Sequence, residues 1–338
     1  MGRGELEFLR LVLTGSSVID WPRLHFREPR DVDHFLALSL FVLDDARDEM
    51  RLRGLVHQAE QYLRNACGIR VPRAVAEIAD LRTLFLLGSR VVGSRLEQRA
   101  ACSLLKCVRI AHHLQARELL HSMAFSEADL AVHVDRRVRA VIAQMRQRGL
   151  PVVGFAGSPK GPSSVMTKLL VKQETVAAQI FDRLRYRLVT ARRDQIAPLL
   201  VYLAEHLFPF CNVISGQTEN RLLDFATVAR RYPSVRTALG VERGDSNEQS
   251  CLRAPTNTST ARSFRSLKFV VELPIRADGL PGRRQDQKKC RFGHTLLPFV
   301  EFQIVDSATA ERNERGVAAH SRYKDRQIRQ VKRRLLTR

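Results

Sequence analysis

The chain is poor in the features that staple a small fold or carry one into a membrane. Its six cysteines (Cys67, Cys102, Cys107, Cys211, Cys251 and Cys290) form no C-x-x-C pair and no zinc spacing. They read as reduced thiols of a cytoplasmic protein, most of them filling the core. Glu5 and Glu7 stand where the apolar stretch of a signal peptide would begin. The longest nearly apolar run, Phe35 to Leu43 with Ser39 breaking it, is far short of the ~20 residues that span a bilayer. No membrane partner is expected. Acidic residues are scarce as well: 35 Asp and Glu against 56 Lys and Arg leave a net charge of +21, which suits phosphates, RNA or another polyanion.

What is present divides at about Pro151. A chain of 338 residues with 44% apolar side chains can bury a large core. Residues 1–150 read as a helical scaffold. Asp31 can cap a helix running to Arg51, and Pro72 suits the first turn of another reaching Leu87. Arg95 to Met123 is amphipathic over its whole length. Ser126 is placed to cap a helix ending near Gly149, with Leu130, Val134, Val138, Val141, Ile142 and Met145 on one face. The histidines of this half (His57, His112, His113, His121 and His133) have no carboxylate that completes a metal-ligand set.

Beyond Pro151 the pattern turns to strands and loops. Val152, Val153 and Phe155 make a short strand, followed by GSPKGPSSVMTKLLVK. Here Ser163 or Ser164 would cap a helix, and Lys160 with Lys168 near its N-terminus would make an anion cradle. Leu184, Tyr186 and Leu188 alternate with Arg183, Arg185 and Arg187, the pattern of a strand with one basic face. Asp194 starts a helix to about Leu207, and residues 226–262 are irregular. The segment SFRSLKFVVELP places Phe264 at the start of a strand. The stretch from Leu297 to Lys324 then reads LPFVEFQIVD and, nine residues later, GVAAHSRYK. Phe299, Val300, Phe302 and Ile304 make its first part a strand interrupted by Glu301 and Gln303; a carboxylate there must be solvated on an edge or matched to a cation. Residues 326–338 form a basic tail suited to a polyanion such as RNA.

These segments resemble, block by block and in order over about residues 152–325, the synthetase domain of the RelA/SpoT family, which makes guanosine tetra- and pentaphosphate alarmones. VEFQI resembles that family's VE-x-QIRT strand, and Glu314, Gly316, Ala318, Ala319, His320, Tyr323 and Lys324 fall in register with its A-E-x-G-x-AAHW-x-YK helix. Lys160, Pro162, Ser164 and Lys168 match its K-S-P-x-S-I-x-x-K element, which holds the donor's phosphates. Asp182 and Arg187 match D-x-x-G-x-R, and Phe264, Ser266 and Leu267 match GY-x-SLH. The departures are Arg185 for the glycine, Lys268 for the histidine, Val305 for the arginine of QIR, Ala310 for a histidine and Ser321 for the tryptophan. No His-Asp dipeptide of the family's hydrolase module occurs.

The resemblance implies an α+β fold: a helical N-terminal region, then, over residues 151–325, a nucleotidyltransferase-like mixed sheet flanked by helices. It implies transfer of pyrophosphate from ATP to the ribose 3′-hydroxyl of GDP or GTP. Asp182 and Glu301 would hold Mg²⁺ on neighbouring strands, and Lys160, Ser164, Lys168 and Arg187 would hold phosphates. Phe264 would stack on the acceptor base, with Lys268, Gln303 and His320 close by. Two alternatives stay open. One is the same transfer to an adenosine nucleotide or the 3′ end of tRNA; the other is an inactive domain that binds nucleotide or RNA.

Overall fold

The computed structural model describes residues 1–122, 126–150, 152–159, 161–171, 184–231, 261, 263–277, 294–316 and 320–336. Its helices are α1 (Arg3–Thr14), α2 (Pro29–Leu38), α3 (Ala46–Asn65), α4 (Arg73–Ala76), α5 (Leu81–Gly88), α6 (Arg95–Ser122) and α7 (Glu127–Gln147) in the first half. The second half holds β1 (Val152–Pro159), α8 (Pro162–Val171), β2 (Leu184–Thr190), α9 (Ile196–His206), β3 (Glu219–Asn220), α10 (Phe225–Ala229) and β4 (Leu267–Glu272). It continues with β5 (Ile275–Arg276), β6 (Thr295–Leu296), β7 (Phe299–Asp306), α11 (Ser307–Glu314) and α12 (His320–Leu336). No described helix is long and apolar enough to cross a membrane.

Several expected elements form where their patterns place them. Ser126 caps α7, its hydroxyl accepting from the amide of Asp129 while the Asp129 carboxylate accepts in return, and the chain turns out at Gly149 with φ of 75°. α6 runs the length its periodicity indicates. Others differ. The helix expected from Asp31 to Arg51 is two helices: α2 stops at Leu38, Leu40 takes a left-handed φ of 66°, and Asp45 caps α3 by accepting from the amide of Arg47. The helix expected from Pro72 to Leu87 is likewise divided, because Asp80 starts a new cap at α5. Neither Ser163 nor Ser164 caps α8. Pro162 is its first residue and the carbonyl of Gly161 accepts its first bonds, so both serines lie inside the first turn.

The main sheet has five strands in the order β1-β2-β7-β4-β3, and it is mixed: β2 and β7 are parallel and the other neighbours antiparallel. One face is a row of rings crossing four strands. Phe155 stacks on Tyr186 (centroids 5.8 Å apart), Tyr186 on Phe302 (5.9 Å) and Phe302 on Phe269 (5.7 Å). Gly157 lies opposite Tyr186 and leaves room for that ring, since a Cβ there would stand 2.2 Å from it. With Leu188, Val300, Ile304, Leu267 and Val271 this face packs against α1, α7 and α9 as one buried cluster.

The first-half helices serve two cores. α1 and α7 belong to the cluster under the sheet, whereas α2, α3, α5 and α6 enclose a second cluster of Leu, Val and Phe side chains. Arg137 on α7 ties the two together, its guanidinium donating to the carbonyls of Leu207 (3.0 Å), Leu38 (3.4 Å) and Pro274. Three carbonyls at segment ends thereby gain a buried partner. Burial lowers the Arg137 pKa to about 10.

Candidate active site on the polar face of the sheet

Period-two alternation sends the neighbours of the buried rings to the opposite face of the sheet. There Arg187 on β2 stands beside Gln303 on β7, Gln303 beside Lys268 on β4, and Lys268 beside Glu219 on β3. One step along, Arg185 stands beside Glu301 and Glu301 beside Val270. One row of polar side chains therefore crosses four strands, and the Arg185–Glu301 pair lies beside it, on a sheet whose other face is apolar.

Each polar group has a describable environment. Glu301 is half-buried, and its Oε1 lies 4.0 Å from Arg185 Nε. Arg187 Nη1 donates to Glu314 Oε1 at 3.0 Å, while its Nε is buried without a partner. Lys268 Nζ donates to Glu219 Oε2 at 3.1 Å and sits 5.5 Å from the centroid of Phe264. Gln303 is buried among them. Beside Arg187 an open groove of about 580 Å³ runs between the β1–β2 edge and α11, lined by Gly154, Ala156, Val189, Ala310 and Glu314.

The loop that carries Phe264 is fixed by α11. Asn313 accepts from the amide of Arg265 (3.0 Å) and donates to its carbonyl (2.7 Å), so one side-chain amide clamps the residue next to Phe264. α11 is itself fixed at its start by Asp306, which accepts from the amide (3.0 Å) and hydroxyl (2.7 Å) of Thr309. Burial works to raise the Asp306 pKa, but the Thr309 bonds and Arg193 outweigh it and hold it low. Close to Phe264, burial and the neighbouring Arg265 charge lower the pKa of Arg221. The rim of the sheet at Phe264 is thus cationic.

The structure gathers Arg187, Glu301, Gln303 and Lys268 on one face, with Phe264 at its edge. Ser164 and Lys168 lie on a different element, α8, exposed and half-buried respectively; α8 packs against α12. His320 opens α12. Lys160 and Asp182 lie outside the described residues, and with Asp182 goes the expected juxtaposition of two carboxylates. Among the described residues no three His, Cys, Asp or Glu gather as ligands for a metal ion. A magnesium ion takes one or two protein carboxylates plus substrate phosphates, so Glu301 fits as a single ligand. Asn313 and Glu219 carry no motif signal and were not singled out in the sequence. Only the Asp306-x-x-Thr309 spacing, a helix-start signature, hints that the segment around Asn313 is helical.

No family model matches this chain, and no curated protein matches it. Among solved structures the chain is similar to the small alarmone synthetase 1 of Bacillus subtilis bound to its product pppGpp, at 14% identity over 60% of this chain and 86% of that one, with a TM-score of 0.32. It is also similar to a GTP pyrophosphokinase family protein of Streptococcus pneumoniae (14% identity, 62% and 83% covered, TM-score 0.29). A protein of Streptococcus mutans UA159 is similar to the same degree (14%, 62% and 88%, TM-score 0.31). Likenesses of this extent carry no activity over to the chain.

Proposed function

We propose that the chain transfers pyrophosphate from ATP to the ribose 3′-hydroxyl of a guanosine nucleotide. The hydroxyl oxygen bonds to the β-phosphorus of ATP, the bridge between the α- and β-phosphates breaks, AMP departs, and the hydroxyl proton is given up. The observation that carries this reading is Arg187. Its guanidinium lines an open groove on the polar face of the sheet, with Nη1 on Glu314, and a guanidinium at such a groove is the group that meets phosphate oxygens with charge-assisted bonds. The sequence supports it independently, since Glu301, Gln303, Arg187 and Phe264 on this face are residues that match the RelA/SpoT motifs.

On this reading Arg187 binds the β- and γ-phosphates and orients them, together with Lys160 and Lys168. Phe264 stacks on the acceptor base, and the cationic rim of Arg221, Arg265 and Lys268 draws in the acceptor's phosphates. Gln303 offers an amide donor and acceptor between the two. Glu301, with Asp182, would hold Mg²⁺, which when bound neutralises charge on the donor phosphates. The test is transfer from γ-labelled ATP to GDP, GTP, ADP and deacylated tRNA at two salt concentrations. Labelled GDP or GTP is the expected product. Steeply salt-dependent labelling of tRNA alone would replace the guanosine acceptor, and no transfer to any acceptor would leave a nucleotide-binding domain.

A further inference from the structure

The second core, enclosed by α2, α3, α5 and α6, is not filled. Where it meets the turn at Phe210–Asn212 it contains a cavity of about 100 Å³, walled chiefly by Trp21, Phe35, Phe41, Phe85 and Phe210. A void of this order takes a molecule near the size of benzene, which binds in an engineered cavity of about 150 Å³.

The polar exceptions in the wall indicate what belongs there. His112 packs edge-on to Phe41 (centroids 5.1 Å apart), and its Nε2 is buried with no hydrogen-bond partner. Three cations line the same cavity: Arg23, Lys106 and Arg109. Arg109 has Glu272 at 3.7 Å, whereas neither Arg23 nor Lys106 forms an ion pair among the described residues. Glu7, the acid nearest in effect to Arg23, is engaged by Arg3 and His25. Burial first, and then the charges of Arg3 and Arg90, lower the Arg23 pKa, with Glu7 acting the other way. A lining with a surplus of positive charge and an aromatic interior suits an anion with an apolar body.

We propose that this cavity binds a small hydrophobic carboxylate. Its ring or short chain lies among the aromatic walls, and its carboxylate pairs with Arg23 in the wall. The site is separate from the sheet face and does not depend on the activity proposed for it.

Trp21 is the single tryptophan of the chain and stacks on Phe210 at 5.3 Å, so intrinsic emission reports on this cavity. The experiment titrates the full chain with phenylacetate and octanoate, and with 2-phenylethanol and octanol as uncharged counterparts. A saturable change in Trp21 emission is expected with the acids, with at least tenfold weaker binding of the alcohols. Cys102→Phe, which fills the cavity, should abolish the change. Arg23→Gln should weaken acid binding about tenfold and leave alcohol binding unaltered, so the two variants separate occupancy from charge recognition. No saturable change with either acid, equal binding of acids and alcohols, or undiminished acid binding in either variant overturns the proposal.

Discussion

Arg185 and Glu301 stand opposite one another on the parallel strands β2 and β7, with Nε 4.0 Å from Oε1. The pair answers how a carboxylate persists in the middle of a strand: it is matched to a cation, and that cation sits where the RelA/SpoT motif has glycine. A half-exposed pair at this separation contributes about 0–1 kcal/mol to folding. Glu301→Gln should therefore change stability by no more than about 1 kcal/mol while pyrophosphate transfer falls roughly a hundredfold or more. Thermal unfolding and labelled-ATP assays on the same preparation check both, and an unchanged rate removes Glu301 from the chemistry.

Phe264 carries Lys268 over its ring and is clamped through Arg265 by Asn313. Phe264→Ala should raise the KM for the acceptor between five- and about a hundredfold, the equivalent of ~1–3 kcal/mol of stacking, and leave the KM for ATP nearly as it was. Asn313→Ala should give a weaker version of the same split, because it frees the loop without removing the ring. Equal effects on both substrates would take Phe264 out of the acceptor pocket.

His112 sets a pH dependence in the helical core. Burial first, and then the charges of Arg109 and His113, lower its pKa from 6.5 to about 4. The fold holds the neutral ring, so the native state binds fewer protons than the unfolded chain between these values. That contribution is complete above pH 6.5 and drains away as the pH falls through about 4, amounting to about 3 kcal/mol at most. Urea midpoints measured from pH 7 to pH 4 should fall accordingly, and more shallowly in His112→Phe. A parallel pair of curves would place the titration elsewhere.

Gly157 is opposite Tyr186, whose ring lies where a Cβ would go. Gly157→Ala should cost ~1–3 kcal/mol, because the ring cannot move without disturbing its stacks on Phe155 and Phe302. Tyr186→Phe keeps those stacks. It loses only a 3.3 Å bond to Asp135, which Arg139 also holds, so it should cost less than about 1 kcal/mol. Denaturant unfolding of the two variants decides whether the ring or its hydroxyl matters.

The sequence made the sheet face readable because period two needs no knowledge of partners. Arg185, Arg187, Glu301 and Gln303 share a face by alternation alone, and β2 and β7 form where the pattern puts them. The break at Leu40 was hidden, since the apolar run continues through it and only the cap at Asp45 competes. The clamp of Asn313 on Arg265 and the pair of Lys268 with Glu219 join residues 48 and 49 apart in the chain, and nothing local announces either. Nor does the pattern of α1 reveal that it packs under the sheet rather than with the helices that follow it.

That placement of α1 governs the order of events during synthesis. The carbonyl of Leu13, at the end of α1, receives its bond from Asn220, 207 residues later. Meanwhile α2 to α6 close their own core between residues 26 and 111 through contacts much nearer in sequence. The helical core is therefore ready early, while α1 carries its apolar face without its later partners until α9 and α10 emerge. The sheet in turn has no centre until β7 emerges, since β2 and β4 meet only through it. The strand made last is the one the others are built around, and the long wait of α1 is the interval in which a chaperone has most to shield.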